Sequence, residues 1–238
     1  MKLPANFIID IMRRINSVIF DLDGTLVYFK IDFMSARREV IQKLYSIGIP
    51  KDLVSINQRI LTTVRTAENY LRSNEIKADK IDSFKKQIDQ IISKYEMEGA
   101  KRTSLLPGVK EILSTLKEQR YKIGLFTLEN QETTKYILER FSIQSFFNAI
   151  ITRDDVENYK PDPEHLNAVL SQMGVSANEI IVVGDNPIDL ECARRINAVA
   201  VARYSERHSI YELKKAGADF IIKNLWELKK ILKEINQD

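Results

Sequence analysis

Ser17-Val18-Ile19-Phe20-Asp21-Leu22-Asp23-Gly24-Thr25-Leu26 is the stretch from which the rest of the chain is read. Ser17 to Phe20 is a short β-branched and aromatic run, the composition of a buried strand, and it stops abruptly at an acidic, glycine-containing turn. A polar loop at the end of a buried strand is where α/β proteins place their functional groups.

Outward from that strand the texture changes. From about Asp32 to Gly99 the apolar residues recur at helical spacing. Leu53, Ile56, Ile60, Val64, Ala67 and Leu71 share one predicted face, and Ile81, Phe84, Ile88, Ile91 and Tyr95 another. Gly48-Ile49-Pro50 and Gly99 are the expected helix stops. After Leu106-Pro107-Gly108 helices and strands alternate. Val109, Ile112, Leu113 and Leu116 mark a helix, Lys122 to Phe126 a strand, Leu166 to Met173 a helix closed by Gly174, and Ile180 to Val183 a strand. Ala198 to Ala202 and Asp219 to Ile222 are two further short runs, followed by a terminal helix through Leu225, Leu228, Ile231 and Leu232. This alternation predicts an α/β fold, a Rossmann-like doubly wound parallel sheet with an inserted all-helical cap domain. The expected division is residues 1–30 and 104–238 for the core and 31–103 for the cap.

Composition narrows the function classes. Lys and Arg number 36 against 33 Asp and Glu, and basic and acidic side chains interleave, so no nucleic acid partner is expected. No apolar run approaches the roughly 20 residues that span a bilayer, so no membrane association is expected either. The amino terminus lacks the continuous apolar region of a signal peptide; a cytoplasmic protein is expected, with an irregular extension before Met12. Cys192 is the single cysteine, which rules out an intrachain disulfide; its apolar neighbours suggest a buried filler.

Polar clusters follow predicted strands or open helices in four places: Asp21 with Asp23, Thr127, Lys160, and Gly184-Asp185 with Asp189. A parallel sheet points all its carboxyl ends one way, so these groups converge on one crevice. Crowded carboxylates repel unless a cation is present, and hard carboxylate oxygens suit Mg²⁺. Lys160 offers a fixed positive charge and Thr127 a hydroxyl for phosphate oxygens. Together they form a phosphoryl-transfer set.

These residues and their order resemble the haloacid dehalogenase superfamily. Asp21-Leu22-Asp23-Gly24-Thr25 matches its first motif in full, Thr127 its second, Lys160-Pro161-Asp162-Pro163 its third, and Gly184-Asp185 with Asp189 its fourth. The resemblance implies that Asp21 is a nucleophile forming an acyl phosphate, and that Asp23 protonates the leaving group and then deprotonates water. It implies Mg²⁺ held by Asp21, the Asp23 carbonyl, Asp185 and Asp189. Gly24 and Thr25 are expected to shape the turn, and Asp162 to cap a helix. Leu128 departs from the Asn common after the second-motif residue; Asn130 stands two positions later.

The expected reaction is hydrolysis of a small phosphorylated metabolite such as phosphoglycolate or a sugar phosphate. A phosphomutase resembling β-phosphoglucomutase is the alternative enzyme, and a non-catalytic binding protein the alternative outside enzymes. Asp23 argues against a dehalogenase, and no cap lysine among Lys43, Lys51 and Lys77 stands out as a Schiff-base former. Arg37 and Arg38 are candidate substrate contacts; His165 and His208 are expected at the surface or in cap roles, and Trp226 in packing.

Overall fold

The computed structural model describes residues 14–28 and 30–236; the expected extension before Met12 lies outside them. A six-stranded parallel sheet organises the first compact unit, in the order β3-β2-β1-β4-β5-β6. Its strands are β1 (Ser17–Phe20), β2 (Lys122–Phe126), β3 (Ala149–Ile151), β4 (Ile180–Gly184), β5 (Val199–Arg203) and β6 (Phe220–Ile222). β1 is flanked on both sides, with Phe20 level with Leu125 of β2 and Val183 of β4. All four of its residues are fully buried. This explains why the strand reads as an unbroken apolar run with no alternation.

Register sorts the sheet into two faces. Ile19, Phe126, Ile151, Val182, Ala200 and Ala202 share one core with Leu166, Val169 and Met173 of α6 (Pro163–Met173) and with Leu190 and Cys192 of α7 (Pro187–Arg195). The opposite parity, including Phe20, Leu125 and Val183, is equally buried, and α4 (Val109–Glu118) packs against β2 with Ile112, Leu113 and Leu116 inside. α5 (Gln131–Arg140), α8 (Ile210–Lys215) and α9 (Leu228–Asn236) complete this unit. Each buried Val, Leu, Ile or Phe contributes about 1.5–3 kcal/mol. Asp162 accepts from the Glu164 amide at the start of α6, with Pro163 at the first helical position, and Gly174 ends the helix in the left-handed region.

Lys30–Arg102 form the second compact unit, built from α1 (Phe33–Ser46), α2 (Ile60–Ser73) and α3 (Ala78–Arg102). Its core joins Val40 and Leu44 of α1 to Ala67 and Leu71 of α2 and to Phe84, Ile88 and Ile92 of α3. Where the insertion begins and ends, the chain is paired with itself. The Tyr28 amide donates to the Ser104 carbonyl at 2.9 Å, the Leu106 amide to Leu26 at 2.9 Å, and the Thr103 hydroxyl to the Tyr28 carbonyl.

Three expectations differ in detail. Leu53 and Ile56 precede α2 instead of sharing its face, because Ser55 and the Pro50 carbonyl take the local amides into turns. Gly99 does not stop α3; it lies inside it, where a Cβ would stand 2.8 Å from the Ile31 side chain. β3 is an additional edge strand of three residues, too short to show a period in sequence.

Candidate active site

The strand order reverses its winding between β1 and β4, and the groups that end those two strands form the centre of the site. Asp21 follows β1, its amide bonded to the Val183 carbonyl at 2.9 Å. Asp185 follows β4. Asp189 lies in the first turn of α7, where Asn186 caps and the Asp189 carboxylate returns to the Asn186 amide at 3.1 Å. Asp21, Asp185 and Asp189 are all buried, and each offers an oxygen within 4.8 Å of the others.

Two glycines make this crowding possible. Gly24 turns the loop at φ +80°, and a Cβ there would lie 2.2 Å from Asp185 Oδ2. A Cβ on Gly184 would lie 2.4 Å from Asp189. Thr25 helps hold the turn, its hydroxyl 3.3 Å from Asp21 Oδ2.

Lys160 brings the cluster its buried cation. Its ammonium donates to Asp21 Oδ1 at 2.6 Å and to Asp189 Oδ1 at 2.8 Å, and stands 3.6 Å from the centre of the Phe126 ring. One ammonium facing several carboxylates cannot neutralise them all. Burial raises the Asp21 carboxyl to about 6; Lys160 pulls it down and Asp189 pushes it up. Asp185 is likewise raised to about 6, by burial and then by Asp21. Asp189 is raised by burial despite Lys160. The lysine itself is held above its usual range, the two carboxylates outweighing its desolvation. Buried carboxylates with raised pKa and hard oxygen donors fit a divalent cation.

Asp23 is half-buried and also raised to about 6, chiefly by burial, with a Glu129 hydrogen bond opposing and Asp21 adding to the rise. Thr127 follows β2 and is fully buried, and its oxygen accepts from the Glu129 amide at 3.1 Å, leaving its own O–H to donate. The structure thus brings Asp21, Lys160, Asp185 and Asp189 into one cluster, joins Asp23 to it through the Asp21 charge, and links Thr127 to Asp23 by way of Glu129. Asn130 caps α5 through the Thr133 amide at 2.7 Å. In the helical unit, Arg37 donates to the Ile56 carbonyl at 3.4 Å and Arg38 to Met34 at 3.2 Å.

His165 departs from the surface role expected of it. It is fully buried, edge-on to Phe126, with Nδ1 accepting from the Lys160 amide at 3.3 Å and Nε2 3.2 Å from the Ile151 carbonyl. Burial and the Lys160 charge lower it to about 3, so it is neutral and fixes the backbone that carries the lysine. Cys192 is a buried thiol near the Asp162 carbonyl, raised to about 12 by burial.

Sequence reasoning missed Glu129 and the residues that end and follow β5. Arg203 Nη1 donates to the Gly24 carbonyl at 2.6 Å, Ser205 to Asp185 Oδ2 at 2.8 Å, and Arg207 Nη1 to the same oxygen at 3.3 Å. The convergence rule that located the other four clusters also applies to the end of β5.

A family described as haloacid dehalogenase-like hydrolase matches residues 18–202. The pyrophosphatase PpaX of Halalkalibacterium halodurans is 28% identical over 233 residues, covering 90% of this chain and 95% of its own. The phosphoglycolate phosphatase of Nitrosococcus oceani is 26% identical over 226 residues, covering 94% and 99%. A crystal structure of a hydrolase from Pseudomonas syringae superposes with a TM-score of 0.65 at 26% identity, covering 92% of this chain and 99% of that one. Among the described residues no helix is long and apolar enough to cross a membrane.

Proposed function

We propose that this chain, which belongs to the haloacid dehalogenase-like hydrolases, is a Mg²⁺-dependent phosphatase that hydrolyses a small phosphorylated metabolite through an aspartyl-phosphate on Asp21. One observation carries the reading: Asp21 and Asp23 stand on one turn after β1, with Asp21 held 2.6 Å from the Lys160 ammonium. Two carboxylates in different settings suit two roles.

Asp21, fixed by Lys160 and Thr25, attacks phosphorus, and the leaving oxygen takes a proton from Asp23. Water then attacks the aspartyl-phosphate while Asp23 takes a proton from that water, releasing inorganic phosphate and restoring the Asp21 carboxylate and the protonated Asp23. Burial raises the Asp23 carboxyl to about 6, which brings its proton exchange closer to neutral pH than an ordinary carboxyl's. The Lys160 ammonium and the Thr127 hydroxyl hold the transferred oxygens, and His165 keeps the Lys160 backbone in place. Asp21, Asp185 and Asp189, with the Asp23 carbonyl, would hold Mg²⁺. The ion supplies charge that offsets the repulsion between Asp21 and an anionic substrate.

The relatives named pyrophosphatase and phosphoglycolate phosphatase support a small phosphate-bearing substrate, of the phosphoglycolate or sugar phosphate type. The test is phosphate release from a panel of small phosphate esters and pyrophosphate. Wild type and Asp21→Asn are compared with Mg²⁺ and after EDTA. Activity lost in the variant and in EDTA is the expected result; release that persists in Asp21→Asn would remove the covalent mechanism. Transfer to a second hydroxyl without net release would reassign the chain as a mutase.

A further inference from the structure

The turn that carries both proposed reacting carboxylates contains a peptide unit that its own backbone fixes only weakly. Gly24 sits at φ +80°, and glycine restrains its own backbone less than any other residue. The amide of the next residue, Thr25, is one of three that share the Leu22 carbonyl. At 3.3 Å it is the longest of them, with the amides of Leu26 and Val27 at 2.8 Å and 3.1 Å. The other end of that peptide, the Gly24 carbonyl, accepts from Arg203 Nη1 at 2.6 Å. A hydrogen bond from a cation is roughly twice as strong as a neutral one, so the guanidinium is the firmer hold on the peptide.

The sheet puts Arg203 where it can do this. Ala202 pairs with Gly184, so Arg203 stands one position further on, level with Asp185. β4 lies between β5 and β1, and the Arg203 side chain spans the end of β4 to reach the loop after β1. Its own backbone is fixed: Arg203 pairs with Ile222 of β6, and the Tyr204 amide donates to the Ile222 carbonyl at 2.8 Å. A rigid strand therefore holds a permissive turn. The two carboxylates depend on that hold unequally. Asp21 has anchors of its own, its amide 2.9 Å from the Val183 carbonyl and its carboxylate 2.6 Å from the Lys160 ammonium. Asp23 immediately precedes Gly24 and bridges to Val27, where the Gly24 amide donates to the Val27 carbonyl at 2.8 Å. A change at Gly24 is passed to Asp23 before it reaches Asp21.

We infer that Arg203 is a positioning residue for Asp23: by holding the Gly24 carbonyl it keeps the proposed acid aligned with the leaving oxygen. This inference rests on the phosphatase reading and on the part that reading gives Asp23. In the first step an Asp21 oxygen bonds to phosphorus, the bond from phosphorus to the leaving oxygen breaks, and the Asp23 carboxyl proton moves to that departing oxygen. A departing alkoxide needs the proton, whereas 4-nitrophenolate is a stable anion and leaves without it. Misplacing Asp23 therefore harms alkyl esters selectively, and misplacing anything else in the site does not.

The experiment measures kcat/KM with Mg²⁺ for phosphoglycolate, 2-hydroxyethyl phosphate and 4-nitrophenyl phosphate. Wild type is compared with Arg203→Met, Arg203→Gln, Arg203→Lys and Ser205→Ala. kcat/KM covers events up to departure of the leaving group, so the later hydrolysis of the aspartyl-phosphate drops out. The readout is the ratio of each alkyl ester's value to that of the nitrophenyl ester, which cancels a shared loss from reduced stability. Arg203→Met is expected to lower that ratio about tenfold or more, and Arg203→Lys, which keeps a cationic donor, to restore part of it. Arg203→Gln gives a second reading, with a fall in the same direction, should the methionine variant not fold. Ser205→Ala, which removes a donor to Asp185 Oδ2, is expected to slow all three esters alike. An unchanged ratio in Arg203→Met and Arg203→Gln, or an equal fall in Ser205→Ala, overturns the positioning role while leaving the phosphatase intact. A wild type that releases phosphate from none of the three overturns both.

Discussion

In the helical unit Lys94 reaches Glu39 at 3.0 Å with the two side chains 50% and 38% exposed; in the sheet unit Lys160 reaches Asp21 at 2.6 Å and Asp189 at 2.8 Å with none above 10%. Both are Lys–carboxylate contacts of good length, yet they do opposite things to the fold. The solvated pair costs almost nothing to form and contributes little, because water screens it. The buried cluster has lost that water, and as a consequence the Asp21 carboxyl is raised to about 6 and that of Asp189 is raised as well. Proximity of charges therefore says little about stability. Burial decides whether a pair is incidental or must be held together by the surrounding structure.

The sharpest test of that contrast is Asp21→Asn. Turnover should fall by on the order of 10⁴-fold or more, while resistance to urea stays level or rises, since a repelled buried carboxylate has been removed. A variant that keeps its activity, or that unfolds far more easily, would break the comparison. Next in size is Lys160→Met, which leaves Asp21 and Asp189 without their shared cation. A loss of about 3–5 kcal/mol in urea denaturation is expected, and a neutral result would mean the cluster is less isolated from water than its burial indicates.

A smaller effect comes from His165. Its folded value of about 3 lies below the ordinary imidazole range, so the unfolded chain binds the extra proton. Its contribution to stability is present at and above about pH 6.5 and is lost as pH falls toward 3, by up to about 1.4 kcal/mol per unit. Asp21, Asp23 and Asp185, with raised values, act in the opposite sense between roughly pH 4 and 6. Comparing wild type with His165→Gln cancels their contribution: the wild-type stability should fall more steeply on acidification. Parallel curves would show that the imidazole is protonated in the folded state. Smallest of all, Lys94→Ala should change stability by less than about 1 kcal/mol; a larger loss would give the exposed pair a weight the comparison denies it.

The residues that were legible in sequence share a property. β1 is an apolar run ended by Asp21 and Asp23, so composition alone marks both the strand and the site, and the parallel sheet then explains why Lys160 and Asp185 meet there. The features that escaped lack a local signal. β3 is three residues long and shows no period. Gly99 reads as a helix stop, but its missing side chain serves the approach of Ile31 within α3, a tertiary fact. His165 follows the amphipathic pattern of α6 and is buried there as a polar member of the core. Glu129 and Arg207 sit on loops, where position is set by the strands they follow and by no pattern of their own.

The paired chain at the start and end of the insertion has a consequence for the order of folding. β1 must find β2 across more than a hundred residues, and an open loop of that length raises the entropy of closure by about 0.6 kcal/mol for each doubling. Tyr28 and Ser104 are hydrogen-bonded at 2.9 Å, so the intervening helices begin and end beside each other. If those helices form first, the long separation behaves kinetically as a short turn, and the central strand pairing need not wait on the length of what was inserted into it.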